Sequence, residues 1–205
     1  ARRRAHRGSQ PPMPYAQADI AGDVVLVTGA TSGIGEACAW RFAEAGCKLV
    51  LTGRRAQRLD SLKASIEAKH EGVTVTCVTM DVTDLERVAA LPGALLPLEV
   101  DILVNNAGLA LGVAPAEANN MADVQQMMAT NVTGLIAMSA AFLPGMKARG
   151  KGHLINIGSI AGHEAYAGGS GYCASKAAVT AFTLKHSPDP NSNPTLIPIP
   201  NPNPS

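Results

Sequence analysis

The sequence predicts a doubly wound parallel α/β sheet, and three observations carry that prediction. Apolar runs such as DVVLVTG, which begins at Asp23 and ends on glycine, suit strands buried on both faces. These runs alternate with helical stretches of ten or more residues, the rhythm of parallel strands joined by right-handed crossovers. At 205 residues and 46% hydrophobic content, the chain suits one domain with a sizeable core. Only 3% is aromatic, so Val, Ile, Leu and Ala must fill that core.

After the first strand, GEACAWRFAEAG reads as a helix stopped by Gly46. KLVLTG is the second strand, and QRLDSLKASIEAK a helix with Leu59, Leu62 and Ile66 on one face. VTVTCVTMDV and VDILVNNAG supply two further strands, separated by a weaker helix around Leu85 to Leu91. From Asn120 to Leu143 a long helix is expected, with Val124, Met127, Met128, Leu135 and Phe142 along its apolar stripe. GHLINIGS is the fifth strand, and a helix running to His186 follows it.

Outside this core the composition changes. Arg2, Arg3, Arg4 and Arg7 crowd the start, and residues 1–22 read as a disordered basic leader, either a transit-peptide remnant or a solvated leader. Seven of the fourteen prolines lie between Pro188 and Ser205. Residues 187–205 are therefore expected to be a disordered or polyproline-like tail, and Pro198 and Pro200 exclude TLIPIP from a central strand. The folded unit is placed at residues 23–186.

Net charge of +1 argues against nucleic acid or an anionic membrane as the main partner. No apolar run approaches the roughly eighteen residues needed to span a bilayer. Cys38, Cys47, Cys77 and Cys173 form no CxxC pair and read as reduced thiols of an intracellular protein. The expected location is cytoplasmic, or an organelle matrix if the leader is a transit peptide. Neither the cysteines nor the histidines have metal-ligand spacing, so no metal site is indicated.

TGATSGIG, Thr28 to Gly35, joins the first strand to the first helix. Glycines there let the backbone approach a phosphate, and the helix N-terminus offers free N–H groups and partial positive charge. Gly29, Gly33 and Gly35, with Thr31, Ser32 and Ile34 between them, are the candidate phosphate loop, although a tight strand-to-helix turn would look similar. The second strand ends in LTGRRAQR, with Arg54 and Arg55 where an NAD site usually carries an acid. Two guanidinium groups suit a 2′-phosphate at roughly 1.5–3 kcal/mol per charge-assisted bond. The cofactor expected is NADP; a solvated basic helix start is the alternative.

Tyr172 and Lys176 stand four residues apart and share a helix face. An ammonium about 4 Å from the phenol contributes on the order of 4 kcal/mol at an effective dielectric of 20. That is enough to lower the tyrosine pKa by roughly 3 and suit it to acid–base work. Ser159 ends the fifth strand, where open α/β sheets bind ligands; it can bond a substrate oxygen or cap the next turn. Asn131 lies seven residues after Val124 on the buried face of the long helix. A buried amide needs partners, so it pins the backbone, holds a water, or does both.

The glycine loop, NNAG at Asn105 to Gly108, Ser159 and the Tyr172/Lys176 pair together resemble the short-chain dehydrogenase/reductase family. The resemblance covers Asp23 to about His186 and implies a Rossmann-like fold. It implies that Tyr172 is the catalytic acid/base and that Ser159 orients the carbonyl. Lys176 would hold the nicotinamide ribose and lower the tyrosine pKa, and Asn131 would carry a water in a proton relay. Asp81 and Val82 match the segment beside the adenine, and Asn105 and Gly108 the strand end beneath the cofactor.

NNAGLALG, INIGSIAG and YAGGSGYCASKAAV look like the NADP-dependent 3-hydroxy acid dehydrogenases, the serine and allo-threonine group. That resemblance implies hydride transfer from the β-carbon of a 3-hydroxy acid, a small-molecule substrate. Gly168, Gly169 and the loop after Gly108 would line the substrate side. The resemblance also suggests a homo-oligomer. It stops after His186, where family members add a sixth strand, a Pro-Gly turn and a substrate-covering loop. The chain is therefore expected to be truncated after the fifth strand and its helix, with that strand left as a bare edge. A frameshifted, spliced or misjoined product would explain the change. The competing reading is a truncated, non-catalytic nucleotide-binding fragment of such an enzyme.

Overall fold

The computed structural model describes residues 19–185 and the strand Thr195–Ile197. Strands β1 (Val24–Val27), β2 (Lys48–Gly53), β3 (Val75–Thr79), β4 (Ile102–Asn105), β5 (His153–Ile157) and β6 (Thr195–Ile197) form one sheet. Its order is β3-β2-β1-β4-β5-β6 and every pairing is parallel. The order reverses between β1 and β4, which opens a crevice beyond their carboxyl ends.

The continuous apolar strands have the predicted physical cause, since both faces of the sheet are covered. Val25 and Val27 point into one core with Leu49, Leu51, Leu59 and Ile66. Val24 and Leu26 point into the other, with Val50, Leu103, Met138 and Phe142. Burying each such side chain contributes about 1.5–3 kcal/mol, and alternate residues of one strand serve opposite cores.

Helices α1 (Gly33–Glu44) and α2 (Ala56–Lys69) cover the first face. Gly46, at φ +79°, turns the chain out of α1, as its position predicted. Helix α3 (Leu85–Ala94) is capped by Asp84, whose side chain accepts from Arg87 N at 3.1 Å.

The expected long helix is three pieces in line: α4 (Met121–Met128), a π-helical turn (Ala129–Gly134) and α5 (Leu135–Arg149). Helix α5 ends on Gly150 in the left-handed region at φ +63°. An eighteen-residue window within Met121–Arg149 has a mean hydropathy of 1.4, enough by length and composition alone to cross a membrane, although polar residues such as Gln125, Gln126 and Asn131 interrupt the stretch. Here Met138, Phe142 and Met146 instead pack against the sheet. Helix α6 (Ser170–Lys185) follows β5 on the same face, where Thr183 Oγ1 accepts from Asn156 Nδ2 at 2.9 Å.

The expectation of a fifth strand left bare is corrected by β6. Ile155, Asn156 and Ile157 pair with Thr195, Leu196 and Ile197. Proline excludes a segment from a central strand, but an edge strand bonds on one side only, and these three residues include no proline. The sheet therefore continues beyond β5 inside the segment expected to be a disordered tail. Residues 1–18 of the expected leader, and 187–194 and 198–205 of the expected tail, lie outside the described residues.

Candidate active site

A cavity of about 570 Å³ lies along the crevice at the carboxyl ends of the strands. Gly29, Thr31, Ser32 and Ile34 of the glycine loop form one side of it, and Arg54 and Arg55 its outer rim. Asp81 and Val82 continue the wall, with Gly108, Tyr172 and Lys176 at the other end. Residues at or just beyond the ends of β1 to β5 thus meet residues of α6. Gly33, Gly35, Asn105, Asn131 and Ser159 are not on the wall.

The loop is pinned by a residue the motif reading passed over. Asn106 Nδ2 donates to Thr28 O at 2.9 Å and to Gly29 O at 3.2 Å. Thr28 Oγ1 accepts from Asn106 N and Ala107 N at 3.0 and 2.9 Å, tying β1 to β4 across the switch point. Gly29 has φ +65°, and a Cβ on it would lie 2.9 Å from Ala107 Cα. Gly35 is buried beneath the loop, where a Cβ would lie 2.5 Å from Gly29 O. Gly33 opens α1 at φ +59° with nothing near it.

Asn105 does not face the cavity. It is buried, and its Nδ2 donates to Ser139 Oγ at 3.0 Å and Asn156 Oδ1 at 2.9 Å, below the floor. Successive side chains of a strand point to opposite faces, so adjacent asparagines cannot both serve one site. The doubled asparagine in NNAG was the signal available, because each buried amide demands its own partners.

At the inner end, Asn131 sits in the π-helical turn, fully buried. Its Oδ1 accepts from Leu109 N at 2.9 Å, and its Nδ2 donates to Leu109 O at 2.8 Å and Ser175 Oγ at 3.0 Å. Of the two roles left open for it, backbone pinning is the one these contacts perform. The extra residue of a π turn re-aims a side chain, and such turns recur at functional sites.

Ser159 is buried at the end of β5 and accepts from Ala161 N at 3.2 Å, capping the short turn Ile160–Gly162. It also hydrogen-bonds the Tyr172 side chain. Of the two possibilities for Ser159, the cap of the next turn is the one these contacts show.

The electrostatics differ from expectation. Burial pushes the Tyr172 phenol above its ordinary value, against the Ser159 hydrogen bond, which works to lower it. Lys176 does not bring it down: Nζ is 5.9 Å from the tyrosine ring centroid and donates to Ile157 O at 2.9 Å. Burial instead lowers Lys176 itself, from 10.5 to about 8. Sharing a helix face put the two groups on one wall, but desolvation outweighs their mutual field.

The residues fit a nucleotide with a phosphorylated ribose. The glycine loop can be approached closely, and the first-turn N–H groups of α1 have no cap from the Ser32 side chain. The Thr52 hydroxyl, in the cavity wall, has no hydrogen-bond partner among the described residues. Arg55 Nη2 reaches Thr31 Oγ1 at 2.5 Å and Ser32 Oγ at 2.8 Å, which sets a guanidinium over the loop.

Known proteins agree with this construction. The family model for short chain dehydrogenase matches residues 23–191. An NADP-dependent 3-hydroxy acid dehydrogenase of Salmonella typhi is 48% identical over 165 residues, 78% of this chain and 64% of that protein. A serine 3-dehydrogenase of Agrobacterium fabrum is 43% identical over 160 residues, 78% of this chain and 63% of that protein. Among solved structures, the closed form of a serine dehydrogenase complexed with NADP+ matches with a TM-score of 0.73 and 44% identity, over 80% of this chain and 64% of that one. The chain thus spans a little under two thirds of the length of these relatives. Because the family match takes in the first five strands and every residue around the cavity, the chain belongs to the short chain dehydrogenase family.

Proposed function

We propose that the chain carries the nucleotide-binding and catalytic part of an NADP-dependent oxidoreductase acting on a 3-hydroxy acid such as serine or allo-threonine. The observation that carries this reading is one cavity with Arg54 and Arg55 at its rim and Tyr172 and Lys176 at its inner end. The names of the relatives support the cofactor and the substrate class.

NADP, when bound, supplies the acceptor or donor of the hydride. Arg55 and the glycine loop would hold its phosphates, and Gly108 is in the wall of the same cavity. Ser159, just behind the wall, hydrogen-bonds the Tyr172 side chain and so positions it. In oxidation the phenolate form of Tyr172 would take the hydroxyl proton as the carbonyl forms; in reduction the neutral phenol would return that proton. With its pKa raised, Tyr172 is neutral at pH 7, the form that donates. Lys176, at about 8, is mostly cationic there. Its ammonium lies 5.9 Å from the tyrosine ring, on the wall where negative charge would develop. Asn131 holds Leu109 and, through Ser175, the first turn of α6 in register. Four thiols without disulfides suit a reducing compartment, the cytoplasm or an organelle matrix.

The test is serine oxidation with NADP+ by the wild type and by Tyr172→Phe. Turnover in the wild type, lost by at least a thousandfold in the variant with NADPH binding retained, is the expected result. Normal turnover by the phenylalanine variant defeats the mechanism. Binding without turnover in the wild type identifies the chain as a non-catalytic nucleotide-binding module.

A further inference from the structure

The two rim arginines are held differently. Arg55 lies against neutral hydroxyls, with Nε and Nη2 donating to Thr31 Oγ1 at 3.1 and 2.5 Å and Nη2 also to Ser32 Oγ at 2.8 Å. Its positive charge is undiminished. Arg54 faces an acid, with Nη1 3.5 Å from Asp81 Oδ2. Asp81 is itself anchored, because its Oδ1 accepts from Thr83 N at 3.0 Å and Thr83 Oγ1 at 2.9 Å. One carboxylate oxygen is thereby fixed and the other turned to Arg54. Both residues line the cavity.

We propose that Asp81, anchored by Thr83, is a restraining residue for cofactor selectivity: it holds Arg54 and offsets its charge, so that Arg55 carries most of the preference for a 2′-phosphate. This rests on the NADP reading above. A 2′-phosphate arriving between the arginines competes with Asp81 for Arg54 and meets a like charge. A nucleotide without that phosphate meets neither penalty, so Asp81 narrows the discrimination. Burial works to raise the Asp81 carboxyl, but the Thr83 hydrogen bonds and the Arg54 charge outweigh it and hold it below its ordinary value. It is therefore ionised throughout the neutral range. The Arg54 and Asp81 side chains are 64% and 36% exposed, so solvent screening limits the effect to about two- to fivefold.

The experiment measures the Kd of 2′,5′-ADP and of 5′-AMP on the full chain by calorimetry. The proteins are wild type, Asp81→Asn, Arg54→Ala, Arg55→Ala and the Asp81→Asn/Arg54→Ala double variant. Asp81→Asn is expected to raise the selectivity for 2′,5′-ADP about two- to fivefold, with a smaller gain once Arg54 is absent. Arg55→Ala is expected to lose more selectivity than Arg54→Ala. If Asp81→Asn folds poorly, Thr83→Val, which releases one of the two bonds to Oδ1, must move the selectivity in the same direction. Unchanged or lower selectivity overturns the inference, as does an equal gain with and without Arg54. A wild type that does not distinguish the two probes overturns the NADP reading and this inference together. A selective wild type with an insensitive Asp81→Asn overturns the inference alone.

Discussion

Lys176 shows how one buried charge links stability to the site. Its pKa falls from 10.5 to about 8 on folding because burial disfavours the ammonium. Below pH 8 both folded and unfolded chains carry the proton, and the cost of burying the charge is constant. Between about 8 and 10.5 the unfolded chain binds more protons, so this group's contribution to stability rises with pH. Tyr172 acts in the opposite direction, but only above its ordinary value of 10.0. Lys176→Met should therefore stabilise the fold relative to wild type at pH 7, by up to about 3 kcal/mol less the bond lost to Ile157, and raise the melting temperature accordingly. The gap should close as pH rises from 8 towards 10.5. A gap that does not depend on pH would show that Lys176 is not a depressed, buried cation. The same substitution should lower turnover and leave nucleotide binding less affected.

At the scale of elements, the site depends on two amides that join segments distant in sequence. Asn106 closes the end of β4 onto the turn after β1, and Asn131 closes the π-helical turn onto Leu109. Asn106→Ala removes two donors to carbonyls and leaves those oxygens to find other partners. The expected loss is about 1–3 kcal/mol of stability, with weaker nucleotide binding because the glycine loop is no longer held. Unfolding in urea together with NADPH titration checks both. If stability falls and binding is unchanged, the loop does not need this pin.

The sixth strand makes a second prediction at this scale. Cutting the chain after His186 removes Thr195–Ile197 and bares the outer side of β5. A lower melting temperature and concentration-dependent aggregation are the expected results. An unaltered melt would mean that the pairing adds little to the fold.

Across the whole molecule, two cores on opposite faces of one sheet support a cavity that crosses five strand ends. A ligand filling it should stabilise the entire domain by mass action. We expect one cooperative thermal transition, raised more by NADPH than by NADH at equal concentration. At a hundredfold excess over Kd the rise corresponds to about 2.7 kcal/mol. Equal shifts would argue that the rim arginines do not read a phosphate, and the absence of a cooperative transition would assign the function to a longer chain.

Much of this was legible beforehand because it is local. Continuous apolar runs, period-3.6 hydrophobicity, glycines at turns and the four-residue spacing of Tyr172 and Lys176 determined the fold class, the first five strands and one end of the cavity. They also placed Arg54 and Arg55 at its rim. Other properties depend on what folding brings alongside. The direction in which Asn105 points, the pinning by Asn106, the raised tyrosine and depressed lysine, and the approach of Arg54 to Asp81 were decided by the tertiary structure alone. Hydrogen-bond partners and desolvation come from segments tens of residues away, and neither is written in the spacing of a motif. The same holds for β6, a run bounded by prolines that gains a ladder partner only because β5 had a side to offer.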